Sequence, residues 1–578
     1  MTNIDQIAEQ TIQKWLQGPY DEETKSIINA MIEEGKSEEL KESFYKNLEF
    51  GTGGLRGIMG VGSNRMNKYT VGMATQGLVN YLKKVYPDEQ IKFVIAHDNR
   101  NNSDYFARIV ADVCSANGLI VFAFDELRPT PELSYAIRHL GCHSGVMLTA
   151  SHNPKEYNGY KAYWSDGGQV TAPHDANIIS EVNKITSPDQ VKFDGHKENI
   201  HAIGEEIDEA YLTDILQLSL EADAVAKQHD LTIVFSPIHG TGITLVPKAL
   251  ERWGFTNVNV VPEQAIIDGN FPTVIYPNPE EEEAMKMALQ LGREKQADVI
   301  MATDPDADRV GVAIRNHKGA YQLINGNQIC SLLVHYVISR SKERNRLPEH
   351  PMVIKTIVTT ELIKKIADAN GIECFDTLTG FKHIGEVMTR ELGRKQFLAG
   401  GEESYGYLVG DLVRDKDAVI SCAFIAEMSA FYKNQGKSLF DALLDVYITY
   451  GYYKEQLISL TKKGITGAEE IVAMMAGLRS NPPATLGGSK VVQIKDYQKS
   501  EGRDLVSGDS FKIDLPKSNV LQFITEDGTV ISARPSGTEP KIKFYCSVKA
   551  SLPDRESFDA ISSELDKKLD GAMKDLLG

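Results

Sequence analysis

The stretch Ile91-Lys92-Phe93-Val94-Ile95-Ala96, followed by His97-Asp98-Asn99-Arg100, sets the architecture of the chain. Its apolar and β-branched residues run together as in a buried strand, and the run breaks into a short polar turn before a helical pattern. The succession returns at Leu231 to Phe235 before Ser236-Pro237-Ile238-His239-Gly240, and at Met352 to Val358 before Thr359-Thr360. Buried strands feeding helices are the parts of α/β units with mixed, largely parallel sheets. Recurrence at intervals above about 100 residues predicts three related α/β domains.

The last part of the chain differs. Val491 to Ile494, Ser510 to Ile513, Val520 to Thr525, Val530 to Ala533 and Lys541 to Val548 are short strand candidates. A helix follows, with Phe558, Ile561, Leu565, Leu569 and Met573 on one face, so a smaller C-terminal α+β domain is expected. The boundaries read as 1–215, 216–325, 326–455 and 456–578. The first fifty residues read as helices that pack on the first domain through Ile7, Ile12 and Trp15. The acidic run Glu280 to Glu283, after Pro277-Asn278-Pro279, reads as a solvated loop and helix start.

A chain of 578 residues is too long for one core. Its net charge of -18 repels nucleic acid and anionic membranes, so neither is an expected partner, and an anionic ligand needs a local basic island. No apolar run approaches the roughly 18 residues that span a bilayer, and Asp5 and Glu9 stand where a signal peptide is apolar. A cytoplasmic enzyme is expected. Cys114, Cys142, Cys330, Cys374, Cys422 and Cys546 lie far apart without CxxC pairing, which favours reduced core thiols over zinc sites or disulfides.

Four constellations carry chemistry. In Thr149-Ala150-Ser151-His152-Asn153-Pro154, a hydroxyl sits where the apolar run Gly145-Val146-Met147-Leu148 breaks into a turn. Such a serine is a nucleophile or a phosphate carrier, although Ser, Asn and Pro also serve simply as turn residues. Asp304-Pro305-Asp306-Ala307-Asp308-Arg309 places three carboxylates at alternating positions, where repulsion favours a hard divalent cation, Mg²⁺ above all beside a phosphate. Arg309 and Arg315 occupy positions that an EF-hand fills with Gly and Glu, so a calcium loop is excluded. Salt-bridged or helix-capping aspartates are the bland alternative.

Gly400-Gly401-Glu402-Glu403-Ser404-Tyr405-Gly406 offers acceptors and a hydroxyl for a polyol, and Arg414-Asp415-Lys416-Asp417 follows with two cations; each alone also fits an ordinary surface turn. Arg534-Pro535-Ser536-Gly537-Thr538 with Lys541 and Lys543 joins a guanidinium fork to neutral donors, as a phosphate cradle does. Phe50-Gly51-Thr52-Gly53-Gly54-Leu55-Arg56-Gly57 pairs glycines with Arg56 but lacks the P-loop ending.

In this order the motifs resemble those of the α-D-phosphohexomutase superfamily, from about Phe50 to Tyr545. The resemblance implies three related α/β domains and a smaller fourth around a central cleft. It implies that Ser151 carries a phosphoryl group and that Asp304, Asp306 and Asp308 hold Mg²⁺ together with the Ser151 phosphate, with Arg309 as a phosphate contact. Glu402 and Ser404 would read sugar hydroxyls, and Arg534, Ser536, Gly537 and Thr538 would hold the phosphate that is not transferred. His152, Lys161 and Lys416 match positions for proton transfer or phosphate contact, and Thr379-Gly380-Phe381-Lys382 matches a sugar-touching loop. Thr52, Arg56, Arg414 and Lys543 join the expected substrate contacts. Pro305 departs from the Gly of many relatives, with carboxylate spacing kept.

Length and the Gly406-Tyr407-Leu408-Val409-Gly410-Asp411 run resemble the longer branch of the superfamily. The implied activity is interconversion of glucose 1-phosphate and glucose 6-phosphate, with glucose 1,6-bisphosphate as intermediate and activator and with mannose or pentose phosphates as alternative substrates. A monomer or homodimer is expected. A metal-dependent sugar phosphatase and a non-catalytic sugar-phosphate sensor are the alternatives from other classes. A serine hydrolase is disfavoured, since no Gly-x-Ser-x-Gly surrounds Ser151.

Overall fold

Strand pairing follows the apolar runs. In the computed structural model, which describes residues 3–51, 53–462, 464–536 and 541–577, the chain opens with α1 (Asn3–Gln17), α2 (Glu22–Glu33) and α3 (Ser37–Phe44). Ile12, Trp15, Ile28 and Phe44 bury against Tyr69 of α4 (Lys68–Val85), so these helices pack on the first domain; Ile7 stays 40% exposed and takes no part.

The first sheet holds β1 (Gly54–Ile58), β2 (Lys92–His97), β3 (Ile120–Phe124), β4 (Ser144–Leu148), β5 (Tyr157–Trp164) and β6 (Ile200–Ile203) in the order β1-β5-β4-β2-β3-β6. Neighbours among β2, β3, β4 and β6 are parallel, while β5 returns antiparallel to β4 and β1 to β5. Helices α5 (Ser103–Ala116) and α6 (Thr130–His139) pack on β2 and β4. Phe93, Val146 and Leu148 are wholly buried, each worth ~1.5–3 kcal/mol of apolar transfer.

The second domain repeats the plan. Strands β7 (Ile233–Ser236), β8 (Val258–Val260), β9 (Val299–Thr303), β10 (Val310–Arg315) and β11 (Tyr321–Ile324) stand in the order β11-β10-β9-β7-β8. β7 is parallel to β8 and β9, and β10 is antiparallel to β9 and β11. β9 thus holds the place that β4 holds in the first sheet. The Ser151 turn joins β4 to β5 and the Asp304 turn joins β9 to β10, so the two motifs occupy equivalent positions. The antiparallel edges temper the expectation of largely parallel sheets, because a hairpin return leaves no trace in the apolar runs.

Met1–Asn325, Phe381–Ala399 and Ser404–Gly436 form one compact unit, and Gly326–Gly380, Gly400–Glu403 and Lys437–Gly578 form another. In the second unit β12 (Pro351–Thr356) is parallel to β13 (Glu373–Thr377). Strands β14 (Gln396–Gly401) and β15 (Tyr407–Val409) precede and follow the Gly-Glu-Glu-Ser turn.

The C-terminal sheet has β16 (Tyr452–Thr461), β18 (Ser489–Asp496), β19 (Glu501–Asp504), β20 (Ser510–Lys512), β21 (Leu521–Thr525), β22 (Val530–Pro535) and β23 (Lys541–Ala550), with β17 (Thr485–Leu486) paired to β18. Sequence reading finds five of these strands and misses β16, β17 and β19. β19, Glu501-Gly502-Arg503-Asp504, has no apolar side chain and is a strand because both neighbours pair with it. On the final helix Leu565, Leu569 and Met573 are buried, whereas Phe558 and Ile561 are half-buried. All six cysteines are free thiols. Among the described residues no helix is long and apolar enough to cross a membrane.

β16 sets Glu455 opposite Ser547 of β23, where burial raises its carboxyl from 4.5 to about 7 against hydrogen bonds from Thr360 and Ser547. The native state therefore holds this proton more tightly than the unfolded chain. The stability it contributes is full below the unfolded pKa of 4.5 and is lost as pH rises through about 7. A shift of that size is worth ~3 kcal/mol at most. Glu455→Gln should flatten the fall of the urea midpoint between roughly pH 5 and pH 8. An equal fall in both proteins would overturn the assignment.

Candidate active site

β4 delivers Ser151 at its buried end. The serine has φ +52°, a left-handed backbone uncommon outside glycine. Arg100 holds it there: Nη2 donates to the Ser151 carbonyl at 2.6 Å and to that of Asn153, and Nη1 donates to Pro154 and Tyr157 carbonyls at 2.8 and 3.1 Å. Asp98, 3.3 Å from Arg100 Nε, shares its burial. Ser151 Oγ donates to Asp304 Oδ2 at 2.9 Å and lies 3.2 Å from His152 Nδ1. Arg56 of β1 donates to Asn153 Oδ1 at 3.1 Å.

The β9–β10 turn brings Asp304, Asp306 and Asp308 together at no more than 1% exposure. Asp304 Oδ1 accepts the backbone N–H of Asp308 and Arg309 at 3.1 and 3.0 Å, which curls the turn. Ala307 completes it at φ +47°. Lys161 of β5 donates to Asp306 Oδ2 at 2.7 Å and to Asp308 Oδ2 at 3.1 Å. Lys416 Nζ lies 3.3 Å from Asp308 Oδ2 and 3.1 Å from Asp415 Oδ1. Asp415 is fixed in turn by Tyr163 and Gln169 at 2.7 and 2.8 Å.

Burial, with Asp306 and Asp308 beside it, pushes the Asp304 carboxyl well above the usual range. Burial also pushes Asp308 up, but Lys161, Lys416 and Arg309 outweigh it and hold that carboxyl far below the usual range. His152 is half-buried, and burial with Arg309 and Arg56 keeps its imidazole neutral. Lys161 remains a cation because Asp306 and Asp308 outweigh its burial.

One oxygen from each of the three aspartates lies within 4.8 Å of the others. Oδ1 of Asp306 and of Asp308 is buried without a hydrogen-bond partner. Buried carboxylate oxygens left unpaired are costly, so the donor set fits a hard divalent cation.

Arg309 Nη1 donates to Glu280 Oε1 at 2.6 Å. Of the run read as a solvated loop and helix start, Glu281 to Glu283 are exposed and the helix begins at Glu282, and only Glu280 departs, half-buried against Arg309. The preceding Pro279 packs so closely on β10 that a Cβ at Gly311 would meet its carbonyl at 2.4 Å, and Glu280 is carried against the turn. Arg414 stands in the turn before Lys416. Its side chain is buried and Nη1 donates to the Asp411 and Val413 carbonyls, so it braces its own turn. Lys382 lies half-buried on the helix Phe381–Arg390, its ammonium pushed down by burial against Asp175 and Glu386, and Ser404 is half-buried in its turn.

In the second unit Glu402 is 6% exposed and accepts the Gly380 N–H at 2.9 Å, beside half-buried Thr379. Glu403 Oε2 accepts Thr356 and Thr359 hydroxyls at 3.2 and 3.1 Å. Arg534 of β22 lies directly opposite Lys543 of β23, and the Ser536 N–H donates to the Lys541 carbonyl at 2.7 Å. Thr52, Gly537 and Thr538 lie outside the described residues.

Sequence reasoning missed Arg100, Asp415, Tyr163, Gln169, Glu280 and Thr130, which supports Asp306 with a 2.8 Å bond. The Asp98-Asn99-Arg100 turn after β2 was a signal for the first; the others are met only through tertiary contacts.

The domain models of phosphoglucomutase/phosphomannomutase match in order: α/β/α domain I at residues 47–189, domain II at 209–319, domain III at 325–450 and the C-terminal domain at 481–554. A Staphylococcus haemolyticus phosphoglucomutase is 35% identical over 544 residues, and one from Staphylococcus aureus 37% over 543; each alignment covers 93% of this chain and 96% of the relative. Two solved structures share the fold. The Paramecium phosphoglucomutase parafusin, in its open form, has a TM-score of 0.70 at 17% identity, covering 91% of this chain and 95% of its own. A Burkholderia thailandensis phosphoglucomutase/phosphomannomutase family protein has a TM-score of 0.62 at 19% identity, covering 91% and 97%. Four domains in order, with relatives matched over nearly their whole length, show that the chain belongs to the phosphoglucomutase/phosphomannomutase family.

Proposed function

We propose that the protein is a phosphoglucomutase that interconverts glucose 1-phosphate and glucose 6-phosphate in the cytoplasm through a phosphoserine and a bound glucose 1,6-bisphosphate, which also primes the enzyme. The observation that carries this reading is Ser151 Oγ 2.9 Å from Asp304, within a buried carboxylate turn bordered by Lys161, Lys416 and Arg309. The names of the curated relatives support glucose as the sugar.

Asp304, Asp306 and Asp308, with an oxygen of the Ser151 phosphate, would hold the ion, for which Mg²⁺ is the proposed identity. When bound, that ion supplies positive charge against the phosphoryl oxygens. The bond from Ser151 Oγ to phosphorus breaks as one forms from the free sugar hydroxyl, and the hydroxyl proton goes to a base beside the serine. His152 and Lys416 are the proposed bases: His152 Nδ1 lies 3.2 Å from Ser151 Oγ, though burial with Arg309 and Arg56 lowers its affinity for a proton, and Lys416 is ion-paired with Asp308 and Asp415. The bisphosphate then turns, and its other phosphoryl group returns to Ser151. Glu402, Ser404, Thr379, Gly380 and Lys382 are proposed to meet the sugar, Arg534, Ser536, Gly537 and Thr538 its resting phosphate, and Arg56 and Lys543 are proposed as further substrate contacts.

With glucose 1,6-bisphosphate present, kcat/KM for glucose 1-phosphate should exceed that for mannose 1-phosphate and ribose 1-phosphate by ~10-fold or more. Preference for either competitor would move the protein to phosphomannomutase or phosphopentomutase activity. Inorganic phosphate as the main product would replace the mutase with a phosphatase.

A further inference from the structure

Two wholly buried threonines grip the carboxylate turn from opposite domains. Thr130 is the first residue of α6, and Thr241 precedes the helix Gly242–Trp253. Thr241 is the N-cap residue, where a threonine ordinarily bonds its own helix, yet its hydroxyl makes no such cap. Thr130 Oγ1 donates to Asp306 Oδ2 at 2.8 Å, and its N–H donates to the Asp306 carbonyl at 2.8 Å. Thr241 sends both its N–H and its hydroxyl to the Pro305 carbonyl, at 2.8 and 2.9 Å. Beneath that peptide Gly240 leaves no room for a side chain, since a Cβ there would meet Pro305 Cα at 2.4 Å.

The two grips differ in what they reach. Thr241 spends two donors on one backbone oxygen, so loss of its hydroxyl leaves that acceptor paired. Thr130 reaches a carboxylate. Together with Lys161 it fills Asp306 Oδ2 and leaves Oδ1 as the buried oxygen without a partner. We propose that Thr130 is a positioning residue that fixes which oxygen of Asp306 is offered to a divalent cation, with Thr241 securing only the backbone of the turn. The inference rests on the reading of Asp304, Asp306 and Asp308 as the cation site.

The test uses Mn²⁺ as the probe, its binding to the full chain followed by electron paramagnetic resonance, with the urea midpoint of each metal-free variant measured alongside. Removal of a hydrogen bond that orients a metal ligand weakens affinity by about 10- to 100-fold. Thr130→Val should show a loss of that size, Thr130→Ser should restore affinity, and Thr241→Val should stay within about threefold of the parent. Parent-like binding by Thr130→Val, or an affinity loss in Thr130→Ser equal to that in Thr130→Val, would overturn the inference. Should Thr130→Val fail to fold, the Ser variant and Thr241→Val carry the comparison: weaker binding by Thr241→Val than by Thr130→Ser would overturn it. Absence of Mn²⁺ binding by the parent would instead overturn the cation site itself.

Discussion

Ser151→Ala is expected to lose ~10⁴-fold or more of mutase turnover while still binding a divalent cation and glucose 6-phosphate. The hydroxyl is the only part of the side chain that can carry a phosphoryl group. The neighbouring Thr149 is wholly buried, and its Oγ1 accepts the Ser151 N–H at 2.8 Å. Alanine meets the same left-handed backbone as serine, and Arg100 holds the turn through carbonyls that the substitution leaves in place. The fold and the carboxylate turn should therefore survive. A coupled glucose 6-phosphate assay, with phosphopeptide mapping after incubation with glucose 1,6-bisphosphate, reads both parts. Substantial turnover, or a phosphopeptide lacking residue 151 in the parent, would end the phosphoserine assignment.

Lys161→Met should give the largest stability effect. Lys161 is 9% exposed and compensates two carboxylates at once. Without it Asp306 keeps only Thr130, and Asp308 keeps Lys416 at 3.3 Å and the more distant Arg309. Leaving a buried charge without its partner costs about 3–5 kcal/mol. The metal-free variant should therefore unfold at lower urea than the parent. Added Mg²⁺ should raise its midpoint by more than it raises the parent's, because the cation then replaces the missing charge. Turnover with the cation saturating should still fall by ~10²-fold. A metal-free midpoint equal to the parent's would show that Lys161 does not compensate the cluster. Lys416→Met should cost less, since Asp415 keeps its bonds from Tyr163 and Gln169.

The parts legible in the sequence are those set by local chemistry. Unbroken apolar runs at Phe93–Ala96 and Val299–Ala302 mark buried strands, because only a strand covered on both faces tolerates such a run. Alternating carboxylates at 304, 306 and 308 announce a charge problem wherever they fold. What stayed hidden depends on partners distant in the chain. Glu280 reads as one acid among four until the proline segment packs on β10 and sets it against Arg309. Arg414 reads like Lys416, yet the turn sends one side chain to backbone carbonyls and the other to Asp308. β19 has no apolar pattern at all and exists through pairing on both sides.

The serine turn and the carboxylate turn close the same hairpin in two copies of one plan. On the proposed function the two copies divide the labour: the first would present the carried group and the second the charge that balances it. Each copy keeps its own sheet and core, yet Thr130 and Lys161 of the first reach the aspartates of the second. The two turns are therefore constrained together, and neither copy alone holds Ser151 with its carboxylate partner Asp304.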